Sequence, residues 1–431
     1  MLLKMAKKVL SQIHKSAVIM PMGGKATRMA PFTTEVLPKS LTPMVGYIPW
    51  VKAMIFGLSE DLGVQRMGFG TCGYDNFLKT WLYYRGGAGL MKEMQLSHDF
   101  RIDYQDPTYK DNGSASSVRH TIGRVPGLKD CNVPVIVGQP DDLIHMDNVY
   151  QAFKMALETS FDFIVVAVTK DQVENPEELG QLKVGDLNNG RYKAEEMYEK
   201  IAGIEGAMIN VGWYVIKPSM WDKLEGDFAK DTIPGLVRKG RVGVYVCPPE
   251  CPRYDLGKPE FNLKAVKCEV LNVGRLSYIR NFLKKFHTYF KLGDKNLIFR
   301  GTEKETRKAH KIFIKRMENK NDPLSIDGSV YMAKGVELGS EVRLANCALG
   351  DDVKIDSGLV EESNIWGSWN FIDVEIRNSL LGISGTAGKG FKCVNSIVGN
   401  DAEIGDNVKL VDERTNHAPR IGVKRFRRGR V

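Results

Sequence analysis

The stretch Ala17-Val18-Ile19-Met20-Pro21-Met22-Gly23-Gly24-Lys25-Ala26-Thr27-Arg28-Met29-Ala30-Pro31, with Pro38-Lys39 shortly after it, decides the reading of this 431-residue chain. The apolar run Ala17–Met20 predicts the first strand of a buried sheet. Two glycines at a strand exit let the backbone come close to a ligand, because no Cβ intrudes and positive φ is allowed. Backbone N–H groups exposed there suit phosphate oxygens. Arg28 adds a forked cation and Lys39 a point charge. Gly-Gly alone would read as a plain β-turn with two surface cations.

Further segments work outward from this one. Val135-Ile136-Val137-Gly138-Gln139-Pro140-Asp141-Asp142-Leu143 is an apolar strand that ends in carboxylates, and open α/β sheets bind ligands at the C-terminal ends of strands. An acidic cap on the next helix is the plainer alternative. Tyr198-Glu199-Lys200, then Ile209-Asn210-Val211-Gly212-Trp213-Tyr214-Val215, lie between those carboxylates and Tyr254-Asp255-Leu256-Gly257-Lys258-Pro259-Glu260-Phe261. Tyr104-Gln105 precedes Gly113-Ser114-Ala115.

Taken in order, these segments resemble the sugar-1-phosphate nucleotidyltransferases. The first matches G-G-x-G-T-R-[LM]-x-P-x-[ST]-x(4)-P-K, with Ala26 at the third glycine. The second stands where the family has Gly-Asp, and Pro140 replaces that glycine. The third matches E-K-P and N-x-G-x-Y, with Ile201 for the proline. The last matches W-x-D-[IV]-G-[TR]-P-E. The resemblance implies that Gly23, Gly24 and Thr27 meet the nucleotide and that Arg28, Lys39 and Lys200 meet phosphates. It implies sugar binding by Glu199 and Asn210, and Mg²⁺ held by Asp141 and Asp255. Asp142 remains a rival ligand. Gln105 and Gly113 stand where the family reads the base. Their spacing implies a small insertion, and a Gln suits the imide edge of a pyrimidine.

At 431 residues, with a hydrophobic fraction of 43%, the chain is long and apolar enough for two or three domains with real cores. Seven cysteines (72, 131, 247, 251, 268, 347 and 393) are odd in number and scattered. This predicts reduced thiols in a cytoplasmic protein, and Cys247 and Cys251 lack the second pair that a zinc site needs. Residues 1–16 have no signal-peptide core, and no segment reaches membrane-spanning length, so no membrane association is expected. They suit a short amphipathic helix packed on the sheet. Part of the net charge of +9 lies in the tail Lys424-Arg425-Phe426-Arg427-Arg428-Gly429-Arg430. The tail is expected to be solvated, without a nucleic-acid role.

The organisation that follows is α/β. A Rossmann-like, mainly parallel sheet domain spans 1–268 and a helical linker 269–322. Val51, Met54, Ile55, Leu58 and Leu62 predict a helix before a strand at Arg66–Thr71. In the linker, Thr302 and Glu305 form a capping box, with Ala309, Ile312, Phe313 and Met317 as its apolar stripe. Over 323–412, Met332, Leu338 and Leu344, then Val398, Ile404 and Leu410, recur every six residues. This is the hexapeptide pattern of a parallel β-helix, and it resembles the left-handed form that follows many nucleotidyltransferase domains. Residues 361–396 break the strict repeat and are expected to be a loop or irregular coils. The basic tail is 413–431.

The expected activity joins a nucleoside triphosphate, with a pyrimidine favoured, to a sugar 1-phosphate and releases pyrophosphate. Two alternatives stand beside it. One is a silent regulatory or assembly relative that binds a nucleotide sugar. The other is a binding protein that acts through the β-helix and tail. The β-helix hexads carry no His, so the β-helix is expected to serve homo-oligomerisation. Truncation near 322 is then expected to alter assembly more than chemistry.

Overall fold

The computed structural model describes residues 2–23, 29–32, 39–71, 101–104, 113–187, 190–201, 204–272, 274–293, 295–319 and 324–423. The chain divides into two compact units. One comprises Met1–Lys25, Ala53–Asp255 and Leu276–Tyr278, the other Ala26–Lys52, Leu256–Arg275 and Ile279–Val431.

In the first unit the apolar run becomes β1 (Val18–Pro21). Strands β2 (Pro43–Val45) and β3 (Ile48–Pro49) belong to the second unit. The sheet of the first unit continues with β4 (Arg66–Gly70), β5 (Arg101–Tyr104) and β6 (Val135–Gly138). After the short β7 (Asp142–Leu143) come β8 (Phe163–Val168), β9 (Gly180–Asp186), β10 (Arg191–Glu199), β11 (Met208–Ile216) and β12 (Val242–Val246). β13 (Tyr254–Asp255) pairs with β7 outside the main sheet. The order across the sheet is β5-β4-β1-β6-β11-β8-β12-β10-β9.

β5, β4, β1 and β6 are mutually parallel, as are β8 and β12. β11 runs antiparallel between β6 and β8, and β10 runs antiparallel between β12 and β9. The sheet is therefore mixed, with antiparallel strands at its centre and on one flank. β6 and β8 are buried along their whole length, which is why they read as unbroken apolar runs rather than alternating ones. The first helix, Leu2–Lys15, buries Val9 and Ile13 and packs against the helix Met146–Glu158.

In the second unit, β14 (His287–Leu292) and β15 (Lys295–Arg300) form a hairpin. β15 pairs in parallel with β16 (Ser325–Met332), the first strand of a parallel β-helix. The segment 269–322 is thus more than a helical linker, because its hairpin extends the solenoid's own sheet. The helix Glu303–Glu318 carries the capping box, with the Thr302 N–H donating to Glu305 Oε2 at 2.9 Å. Ala309, Phe313 and Met317 pack on the β-helix core, while Ile312 is 51% exposed and lies off the stripe expected for it.

The coils step by 16 or 17 residues, shorter than three full hexads. Leu344, Val360, Ile376, Cys393 and Leu410 stack in register along one face. Leu349, Ile365, Leu381 and Val398 stack along a second. Ile355, Phe371, Ala387, Ile404 and Ile421 stack along the third. Residues 361–396 are therefore coils rather than a loop, and regular in register where irregular coils were the other expectation. Aromatic side chains replace the aliphatic repeat: Trp369 stacks on Phe371 at 5.2 Å and Phe371 on Phe391 at 6.4 Å. One corner takes a left-handed residue in each coil, at Asn346, Glu362, Asn378, Asn395 and Asp412. Asn and Asp tolerate that conformation best.

The second unit also contains the segment that follows the glycine loop. Met29 and Phe32 are buried in a cluster with Trp366, Leu380 and Ile397, with Phe32 on Trp366 at 4.4 Å. Burial of each such side chain contributes ~2 kcal/mol.

Candidate active site

The site is built at the end of β6. Gly138 is needed there, because a Cβ would sit 2.6 Å from the Trp213 ring. Trp213 crosses this glycine and donates from Nε1 to the Asp142 carbonyl at 2.9 Å. The chain turns at Gln139-Pro140 into Asp141 and Asp142, both buried.

β7 then pairs antiparallel with β13, which sets Asp255 directly opposite Asp142. Residues opposed in this way present their side chains on one face, with Cβ atoms ~5 Å apart. Asp141 is one residue further on, so its Cα is within about 9 Å of that of Asp255. Two carboxylates 114 residues apart in sequence are thereby brought together. The sequence reading missed Arg253, whose Nε and Nη2 grip the two oxygens of Asp142 at 2.6 and 2.9 Å. The only sequence signal for it was a cation at the first position of the W-x-D pattern.

β11 positions the second group of residues. Its register shifts between Asn210 and Tyr214, and Gly212 at the bulge has φ 72°. A non-glycine residue there would be strained, and its Cβ would meet the Gln139 side chain at 3.0 Å. The bulge turns Asn210 into a held group. Asn210 Oδ1 accepts from the Gly212 N–H at 3.0 Å, and its Nδ2 donates to the Tyr214 hydroxyl at 3.0 Å. Gly180 on β9 faces the same spot, where a Cβ would lie 3.1 Å from Glu199 Oε2 and 3.6 Å from the Asn210 Cβ. Glu199, Asn210 and a bare stretch of backbone therefore converge. Burial raises the Glu199 pKa above its ordinary value, with Asp227 adding to the rise and Lys200 and Lys230 opposing it. Lys200 is exposed, with φ 55°.

Gly113 has a packing role that its position in the motif did not reveal. With φ 118°, a Cβ there would lie 2.4 Å from the Gly226 carbonyl group. The amides of Ala115 and Ser116 already donate to that carbonyl, at 3.0 and 3.2 Å. Ser114 Oγ donates to Asp227 Oδ2 at 3.0 Å. This ties the start of the helix Ser114–Ile122 to the turn whose Asp227 charge reaches Glu199.

Gly23 is described and exposed after Met22. Lys39 opens a short 3-10 turn whose carbonyl accepts from Thr42 Oγ1 at 2.6 Å. Gly24, Ala26, Thr27, Arg28 and Gln105 lie outside the described residues. Among the described residues there is no group of three or more His, Cys, Asp or Glu able to hold a metal ion. No helix among them is long and apolar enough to cross a membrane.

A family model described as nucleotidyl transferase matches residues 16–267. Solved structures similar to this chain include a UDP-glucose pyrophosphorylase complexed with UDP-glucose, at 20% identity and TM-score 0.46, covering 58% of this chain and 97% of that one. A UDP-glucose pyrophosphorylase from Acinetobacter baumanii matches at 16% identity and TM-score 0.45, covering 58% and 92%. No match is found among curated proteins.

Proposed function

The chain belongs to the nucleotidyl transferase family, and from that premise we infer that it is an enzyme that joins a sugar 1-phosphate to a nucleoside triphosphate, with release of pyrophosphate. The observation that carries the reading is the pairing of β7 with β13, which brings Asp255 to Asp141 and Asp142 at the end of β6. The approach of Asn210, at the β11 bulge, and Glu199, at the end of β10, to the same bare backbone at Gly180 supports a sugar-binding role for the two.

A sugar phosphate oxygen attacks the α-phosphorus in line, and the chain needs no nucleophile of its own. Its work is positioning and charge neutralisation. Glu199 accepts sugar hydroxyls and Asn210 donates to them. Lys200 meets the sugar phosphate. Lys39 and Arg28 meet the triphosphate, with the Gly23–Thr27 backbone steadying the departing pyrophosphate. Hard carboxylate oxygens suit Mg²⁺. Because Arg253 occupies both oxygens of Asp142, Asp141 and Asp255 are the pair that fits the ion. When bound, Mg²⁺ neutralises charge on the phosphate oxygens. Gln105, at the base, favours a pyrimidine.

The six described cysteines are free, in keeping with a cytoplasmic setting. The β-helix faces are offered for self-association. Pyrophosphate release across a panel of four triphosphates and several sugar 1-phosphates tests the reading, and turnover with at least one pair is expected. One observation favours a second reading, a nucleotide-sugar-binding relative without turnover: the Arg253 guanidinium already neutralises part of the carboxylate cluster. Nucleotide-sugar binding without pyrophosphate release from any pair would establish that reading instead.

A further inference from the structure

The β-helix holds the far arm of the glycine loop. Residues of 29–32 and 39–50 lie against it, and several coils supply the grips. Asn400 Nδ2 donates to the Phe32 carbonyl at 3.1 Å. Asn364 Nδ2 donates to the Met44 carbonyl at 3.0 Å. Asp351 Oδ2 accepts from the Tyr47 N–H at 3.3 Å, and is itself clamped through both oxygens by Arg300. The Tyr47 hydroxyl meets Ser368 Oγ at 3.1 Å. Asn364 and Asn400 are buried, as are Met29, Phe32, Met44 and Val45 of the arm.

Asn400 also serves the solenoid, its Oδ1 accepting from the Ile383 N–H of the neighbouring coil at 2.9 Å, whereas the Asn364 grip differs from ordinary solenoid packing. The ladder residues at the same level as Asn364 are Leu380 and Ile397, so a hydrophobe would serve the coil. An amide at Asn364 adds nothing to the ladder that a hydrophobe lacks, yet it meets the one carbonyl that Met44 presents. Lys39 lies on this arm, between Phe32 and Met44 in sequence.

We propose that Asn364 and Asn400 are positioning residues for phosphate binding: the β-helix fixes the segment that carries Lys39, and so sets how that lysine is presented to a phosphate. The proposal rests on the nucleotidyl-transfer reading given above. It adds a bearing on chemistry to the expectation that the β-helix serves assembly.

The test uses the full-length chain with Asn364→Ala, Asn400→Ala and the milder Tyr47→Phe. Asn395→Ala is the control, on the same β-helix but bonded to Asn378 rather than to the arm. Two quantities are read. One is amide hydrogen exchange over residues 40–50, against the β8 amides of the sheet. The other is the affinity for inorganic pyrophosphate in the presence of Mg²⁺, together with the KM and kcat of turnover. The Asn variants should exchange faster over 40–50 while β8 stays protected. Their pyrophosphate affinity should fall about tenfold, with a matching rise in the KM for triphosphate, since small misplacements of binding groups are costly. Tyr47→Phe should move both in the same direction by less, and Asn395→Ala should move neither. Unchanged exchange over 40–50 would overturn the proposal. So would a loosened arm that keeps pyrophosphate affinity within about twofold. A wild type that binds no pyrophosphate would instead overturn the nucleotide reading, and the arm's proposed role with it.

Discussion

Asp142 and Asp255 face each other across two short strands, and a guanidinium takes both oxygens of the first. Asp255→Asn and Asp141→Asn should therefore each weaken Mn²⁺ binding at least about tenfold and depress pyrophosphate release on the order of 10²-fold. Asp142→Asn should leave Mn²⁺ binding within a few-fold and lower thermal stability instead, because it strands a buried guanidinium at a cost of ~3–5 kcal/mol. Calorimetric Mn²⁺ titration separates the two cases, and loss of the ion in Asp142→Asn would reverse the assignment. Glu199 gives a second test. Its carboxyl is raised above 4.5, chiefly by burial, so folding favours its protonated form. That contribution to stability is complete at low pH and is lost as pH rises through the raised value. Acceptance of sugar hydroxyls needs the ionised form, so the KM for sugar 1-phosphate should climb on the acid side at a pH above the ordinary glutamate range. Glu199→Gln should raise KM and flatten that limb. The motifs singled out Glu199, Asn210 and Asp255, because each lies inside a local sequence pattern. Arg253 and Gly180 were not legible, since each acts through a neighbour that only the folded chain supplies.

The β-helix shows what hides an element from its sequence. Its outer coils, built on Leu, Ile and Val, announced their period. The coils over 361–396 have the same register but fill it with Trp369, Phe371 and Phe391, and each step is 16 or 17 residues. Aromatic rings stand where the repeat has Leu, Ile or Val, so a search for an aliphatic residue every six positions fails there. The hairpin β14–β15 escaped for a related reason, because its core partners lie on the solenoid rather than within the hairpin. His287 opens this hairpin in a buried setting. Its Nδ1–H donates to the Leu283 carbonyl, and its Nε2 accepts from the Tyr331 hydroxyl, each at 3.1 Å. Burial pulls its pKa down to about 3. The unfolded chain takes up a proton near 6.5 and the folded chain does not, so stability falls as pH drops from 6.5 towards 3. At pH 5 the loss is about 2 kcal/mol. Denaturant unfolding at pH 7 and pH 5 should show this drop in the second unit, and His287→Gln should abolish the difference. An equal pH dependence in both proteins would place the acid sensitivity elsewhere.

At the scale of the whole molecule, removal of residues beyond 322 should act on two measurements at once. The solution mass should fall if the β-helix faces carry self-association, and pyrophosphate affinity should fall because the arm has lost its seat. A truncated chain with full pyrophosphate affinity would return the β-helix to assembly alone. The division of the chain into units was only partly legible, because Ala26–Lys52 belongs by packing to a domain that begins some 250 residues later. Local pattern assigned it to the sheet whose first strand it follows. The same distance has a consequence in time. Asn400 and Phe32 are 368 positions apart, and Asn364 and Met44 are 320 apart. A ribosome adding about 5–20 residues per second needs roughly 20–70 seconds between making the arm and making its last grip. Throughout that interval Met29, Phe32 and Met44 have no solenoid to cover them. A nascent chain of this protein is thus an apolar arm waiting for its own C-terminus, and chaperone capture during synthesis should centre on that arm.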